Sequence, residues 1–116
     1  MRTWVAGKIH GIRVSEKHPD YHGSVSIARD LMVAAGIEAY EQVHVINQAN
    51  GNRWITYAVP GAPGEFALNG GGARLGEIGD PCILITYVTA DEFPGAPVVF
   101  ATDDNAVGDW LVYARP

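Results

Sequence analysis

The sequence predicts a mainly β fold with one or two short helices, arranged as a small barrel or a sandwich. Three observations predict it. Glycine and proline, 14 and 7 of the 116 residues, cut the chain into short pieces, which favours strands and tight turns over long helices. Several of those pieces alternate apolar and polar residues with period two. Only one stretch combines helix formers with a stop signal, and it is about two turns long.

The elements follow in order. Arg2 to Val14 mixes β-branched residues with Gly7 and Gly11 and reads as one long kinked strand or two short ones. Lys8, His10 and Ile12 share a parity there, so Lys8 and His10 are expected on the same side of the sheet. Ser15 to Gly23, with Pro19, Asp20 and Gly23, reads as loop or turn. Ser24 to Ala28 reads as a strand. Arg29 to Ala35 reads as the helix, stopped by Gly36. Glu41 to Gln48 alternates, Val43, Val45 and Asn47 opposing Gln42, His44 and Ile46. Asn50-Gly51 then signals a hairpin with a type I′ turn, whose two central residues need positive φ. The return strand is Arg53 to Val59, halted at Pro60. Arg53, Ile55 and Tyr57 fall on one face, and Trp54, Thr56 and Ala58 on the other. Glu65 to Leu68 is a short strand running into Asn69-Gly70-Gly71-Gly72-Ala73. Gly79-Asp80-Pro81 turns into the strand Cys82 to Val88, and Val98 to Ala101 and Asp109 to Ala114 are two more strands.

The length predicts a single domain, residues 1–116. With 47% hydrophobic and only 18% charged residues, the chain is neither a disordered tail nor a solvated coiled coil. A net charge of −5 and a pI near 5.2 leave no basic stripe to meet phosphates, so no nucleic-acid partner is expected. The lone cysteine, Cys82, sits in an apolar run and reads as a buried thiol. A single cysteine points to a reducing, cytoplasmic compartment. No opening stretch has the make-up of a secretory leader, and no apolar run is long enough to span a membrane.

Few residues carry chemical promise. The serines are Ser15, Ser24 and Ser26, with no Gly-x-Ser-x-Gly elbow. Gly23-Ser24 alone reads as a turn. His18 and His22 have zinc spacing for a helix, but Pro19 and Asp20 between them argue against one, so no metal is expected. The Asn69–Gly72 run lacks the Lys-Ser/Thr of a phosphate loop. It is either a flexible turn or a place where a ligand rests on bare backbone N–H groups. Arg53, Thr56 and Tyr57 put a guanidinium fork, a hydroxyl and a phenol on one short strand, and a fork suits a carboxylate.

Taken in order, these pieces resemble a family. Lys8-Ile9-His10 is followed by Asp20-Tyr21-His22-Gly23-Ser24. Asn50-Gly51-Asn52-Arg53-Trp54-Ile55-Thr56-Tyr57-Ala58 comes next, then Leu68-Asn69-Gly70-Gly71-Gly72-Ala73 and Gly79-Asp80. Over residues 1 to 93 this set resembles the pyruvoyl-dependent aspartate 1-decarboxylases. The tail from Pro94 resembles them only loosely.

The resemblance implies a double-psi β-barrel and a homotetramer with active sites between subunits. It implies decarboxylation of L-aspartate to β-alanine and CO2, on the route to pantothenate and coenzyme A. It implies self-cleavage between Gly23 and Ser24 into a short chain, 1–23, and a long chain, 24–116, that begins with a pyruvoyl group made from Ser24. That group would form a Schiff base with the substrate amine, so no external cofactor is needed. By matched positions Thr56 would stabilise the processing oxyanion and later touch substrate, and Tyr57 would be the proton donor. Gly70, Gly71 and Gly72 would line the substrate, and Arg53, Lys8 and His10 would hold carboxylate.

This sequence departs from the family at several places. Asp20-Tyr21 stands where His-Tyr is usual, and His22 where an acidic residue is common. Gly71 and Gly72 replace alanines, and Ile46 replaces an aromatic. The departures leave open a maturation helper protein, and a paralogue acting on a substituted aspartate or another acidic amino acid. An unprocessed barrel that only binds or assembles is the alternative from a different class.

Overall fold

A computed structural model describes residues 1–115. The elements are β1 (Arg2–Arg13), β2 (Glu16–His18), β3 (Ser24–Ala28), α1 (Arg29–Ala35), β4 (Gln42–Asn47), β5 (Arg53–Gly61), β6 (Phe66–Asn69), a 3-10 helix (Gly70–Leu75), β7 (Pro81–Ala90), β8 (Ala96–Ala101) and β9 (Val107–Tyr113). The fold is therefore mainly β with two short helices.

The strands form one sheet in the order β2-β6-β3-β5-β4-β7-β1-β8-β9. The β1/β8, β2/β6 and β3/β5 pairs are parallel and the rest antiparallel. Strand pairing does not close this ladder on itself, but the sheet is rolled. Ile9 of β1, Ile27 of β3, Val45 of β4, Leu68 of β6, Leu84 of β7 and Val99 of β8 all belong to one buried cluster. Strands near opposite ends of the order can share a core only if the sheet curls around it. Polar ties close the roll. Ser15 N donates to Phe66 O at 2.9 Å, and Phe66 N donates back to Ser15 Oγ at 2.8 Å. Buried Asn105 donates to Arg13 O and Gly64 O and accepts from Arg13 N.

α1 ends as its sequence foretold. Gly36 takes φ 69°, its N–H reaching back to the last turn, while Leu31, Met32 and Ala35 are buried. Arg29, Asp30 and Val33 face solvent.

Five expectations are corrected. Ile12 does not share a side with Lys8 and His10: Gly11, at φ 81°, forms a bulge in the β1/β7 register, so fully buried Ile12 joins Ile9 instead. Glu16–His18 is a strand, not a loop, paired with β6. With His18 on a strand and bonded to Glu16 at 2.9 Å, the helical spacing of His18 and His22 has no helix to act on. The β4–β5 connection is a hairpin but not a two-residue I′ turn. Gly51 has φ 78° while Asn50 does not share it, and Gly51 N donates to Asn47 O across a longer loop. β5 runs through Pro60 to Gly61, because the paired stretch of β4 has ended by then and proline's missing N–H falls on an unpaired side. Finally, Gly70–Leu75 is a 3-10 helix rather than a turn.

Candidate active site

The Gly23-Ser24 peptide lies where the turn after β2 enters β3. Ser24 is buried and pairs directly with Asn69 of β6 in the antiparallel ladder. Side chains of such a pair share a face and stand close. Asn69 Nδ2 donates to Ser24 Oγ at 3.0 Å and to Ser26 Oγ at 3.1 Å. Ser24 Oγ thus accepts a bond and keeps its own proton free to donate.

The next residue, Gly70, has φ 69°. A Cβ placed on it would lie 2.7 Å from Gly23 Cα and 2.9 Å from Gly23 N, so backbone meets backbone at Gly23, one residue before Ser24. No side chain fits there. Gly23 itself is exposed and has open space around it. Gly71 also faces open space, whereas a Cβ on Gly72 would come within 2.9 Å of Trp54 Nε1.

The other side of β3 is β5, paired in parallel with Val25 opposite Ala58. Continued back one step, that register sets Ser24 beside Tyr57, and two steps set Gly23 beside Thr56. The alternation along β5 holds: Arg53, Ile55 and Tyr57 are exposed and Trp54, Thr56 and Ala58 turn inward. Thr56 and Tyr57 therefore flank the same peptide from opposite faces of the sheet.

Arg53 lies on Tyr57's face, four residues along, about 13 Å at the usual strand rise. Its Nη2 donates to Tyr87 Oη at 3.0 Å, and the Tyr87 ring meets His44 edge-on at 4.8 Å. Lys8 and His10 are on β1, separated from β3 by β5, β4 and β7. That is roughly 19 Å along the sheet. His10 packs against Phe100. Within one chain, then, Ser24 and Asn69 meet and Gly70 packs on Gly23, the β5 register carries Thr56 and Tyr57 toward them, and Arg53, Lys8 and His10 do not join them.

Arg53, Lys8 and His10 do share the outer face of the sheet. Cross-strand registers run Arg53–Ile46–Ile83–His10 in one row and Ile55–His44–Ile85–Lys8 in the next. Basic side chains thus border a patch of isoleucines on which Ile55 is 57% exposed. Among the described residues neither Arg53 nor Lys8 pairs with a carboxylate.

A hollow of about 270 Å³ next to Asn69 is lined by His18, Tyr21, Ser26, Glu65 and Asn69, and Ser24 itself does not line it. It contains a carboxylate and no lysine or arginine. A larger groove of about 610 Å³ lies between the two ends of the chain and the β7–β8 loop, remote from Ser24.

Two ionisable groups are clearly shifted. Burial pushes the Cys82 thiol up to about 12, with the Asp80 charge adding to it, so this thiol is inert at neutral pH. Asp80 is lowered, chiefly by the hydrogen bond from Asn47 and next by the backbone N–H of Glu77. Among the described residues no three metal-ligating side chains gather, and no helix is long and apolar enough to cross a membrane.

In the sequence Asn69 stands in the glycine run with no evident task, and Ser26 is only one of three serines. Their spacing gave a hint, since Ser24 and Ser26 share a strand face. The partner that joins them comes from β6, a pairing the sequence does not announce.

The family model described as aspartate decarboxylase matches residues 1–107. The chain is similar to an aspartate 1-decarboxylase of Acaryochloris marina, 45% identical over 91% of this chain and 86% of that one. It is similar to one from Pyrobaculum islandicum, 46% identical over 75% of this chain and 72% of the other. A third, from Haloquadratum walsbyi, is 39% identical over 94% and 98%.

Proposed function

The chain belongs to the aspartate decarboxylase family, and from that premise we propose that it removes the α-carboxylate of L-aspartate as CO2, leaving β-alanine, with a pyruvoyl group made from its own Ser24. The observation that carries the reading is the buried Ser24 hydroxyl, held by Asn69 beside a glycine peptide that Gly70 alone has room to touch.

The local residues fit the making of that group. Ser24 Oγ attacks the Gly23 carbonyl and the amide becomes an ester, its nitrogen taking a proton. Thr56, at the register of Gly23, donates to the oxyanion that forms on the way. Loss of the Ser24 Cα proton then breaks Cβ–Oγ, and Gly23 departs as a carboxylate. Water replaces the nitrogen, ammonia leaves, and residue 24 is a ketone conjugated to its own amide. That group supplies an electron sink for the pair left behind by CO2. Tyr57 holds the proton that the product carbon receives.

Substrate carboxylates need cations, and the hollow next to Asn69 offers no lysine or arginine and holds the Glu65 carboxylate, which would repel them. Arg53, Lys8 and His10 lie on the exposed isoleucine face instead. A homotetramer that lays this face of one subunit against the Ser24 region of the next would complete the site and cover the apolar patch.

Purified chain is expected to release β-alanine and CO2 from L-aspartate without added pyridoxal phosphate. Borohydride with aspartate is expected to fix the substrate nitrogen to the long fragment. Processed chain that ignores aspartate would contradict the proposal. The open space at Gly71 favours one second reading, a paralogue taking a bulkier acidic amino acid. Gly71→Ala would then shift preference toward aspartate, because the added methyl meets no protein atom and falls in that space.

A further inference from the structure

Asn69 is tied to two serines, and only one of them is consumed. Its carboxamide nitrogen has two N–H donors. One meets Ser24 Oγ at 3.0 Å and the other Ser26 Oγ at 3.1 Å. The two acceptors differ in what surrounds them. Ser24 is the first residue of β3 and adjoins the bond to be cut. Ser26 is mid-strand, paired on one side with Val59 of β5 and on the other with Ala67 of β6. Its backbone is fixed by two ladders whatever happens at residue 24.

During cleavage Ser24 Oγ must swing toward the Gly23 carbonyl and later leave with Gly23. A carboxamide held by that oxygen alone would follow it or turn away. A carboxamide also bonded to Ser26 keeps one N–H aimed at the path of Oγ. It thereby meets the charge that grows on that oxygen as Cβ–Oγ breaks. Preset donors of this kind act without reorganising at the moment of reaction.

We infer that Ser26 is a positioning residue for self-cleavage, acting through Asn69 rather than on the reacting atoms. The inference rests on the reading of Ser24 as the pyruvoyl precursor. Ser26 also borders the hollow of about 270 Å³, so water can reach the site when its hydroxyl is removed and the fold has no buried donor to strand.

The test follows the rate at which fragment 24–116 appears from freshly made full-length chain, by intact mass. Ser26→Ala is expected to slow cleavage about three- to tenfold, the scale of one neutral hydrogen bond. Ser26→Thr keeps the hydroxyl on a residue that suits a strand and is expected to cleave at the wild-type rate. In an Asn69→Ala background, Ser26→Ala is expected to add no further slowing. Cleavage of Ser26→Ala at the wild-type rate would overturn the inference. So would equal slowing by Ser26→Ala in both backgrounds, or a Ser26→Thr chain as slow as Ser26→Ala. If Asn69→Ala is too slow to follow, the threonine variant decides. A wild-type chain that never cleaves overturns the precursor reading and this inference with it, whereas one that cleaves no faster than Ser26→Ala overturns the inference alone.

Discussion

In the proposed mechanism Tyr57 is a proton donor that takes no part in the bond that is cut. There, backbone cleavage uses Ser24 and Thr56, and capture of the substrate amine uses the ketone. Only the step after CO2 departs would use the phenol. Tyr57→Phe keeps the ring, which is already 38% exposed, so little stability is lost. The variant is expected to cleave normally and still be trapped with aspartate by borohydride. Its turnover is expected to fall by about two to four orders of magnitude, the range for losing a positioned acid. Thr56→Ala is expected to fail earlier, at cleavage. Near-normal turnover in fully cleaved Tyr57→Phe would assign the proton to another group. At this scale the faces of Arg53, Thr56 and Tyr57 could be read from parity alone, because β5 is regular from Arg53 to Tyr57. Asn69 and Ser26 could not, because their contact depends on β3 pairing with β6. Ile12 was misplaced because a single left-handed glycine reverses parity, and nothing in the sequence distinguishes Gly11 from Gly7 in that respect.

The 3-10 helix is the element that holds Gly70 against Gly23, and its far end is clamped. Asn47, Asn50 and Asn52 direct their side-chain amides to Leu75 O at 3.1, 3.1 and 3.2 Å. The Asn50-Gly51-Asn52 stretch, read as a tight turn, is therefore spent on the helix terminus, whose free carbonyl needs donors. Turn propensity made the hairpin legible, but the longer loop answers to a helix that no local pattern revealed. Asp80 extends the clamp, its Oδ2 accepting from Asn47 Nδ2 and Glu77 N, both at 2.9 Å. These bonds favour the carboxylate, so the folded value lies below the unfolded one near 3.8. The stabilisation is therefore complete above 3.8 and is lost as pH falls through the folded value. Asp80→Asn is expected to lower the thermal midpoint at neutral pH and to flatten its fall in acid. An unchanged acid limb in Asp80→Asn would mean that other carboxylates govern it.

At the scale of the whole molecule, the rolled sheet separates the residues of the expected site. Its core face was legible in the alternation of Val43, Val45 and Ala58. Its strand order was not, because parallel pairs such as β1/β8 join segments about ninety residues apart. The outer face is where Arg53, Lys8 and His10 lie, around Ile55 and away from their own chain's Ser24. Ile55→Asp places a charge in the middle of that face. On the proposed homotetramer it is expected to shift the protein toward single chains in sedimentation, to leave cleavage intact, and to abolish turnover. Full turnover by a dissociated, cleaved Ile55→Asp chain would show that one chain holds a complete site.

The proposed activity depends on the Gly23-Ser24 bond, and intact-mass spectrometry of the purified chain reads it directly. The expected spectrum has two species, residues 1–23 and 24–116, the longer one lighter by one ammonia than a fragment beginning with plain serine. Ser24→Ala is expected to stay whole. A wild-type chain that remains at full mass after long incubation, with and without cell extract, would contradict self-processing at Gly23-Ser24 and leave a barrel that only binds or assembles.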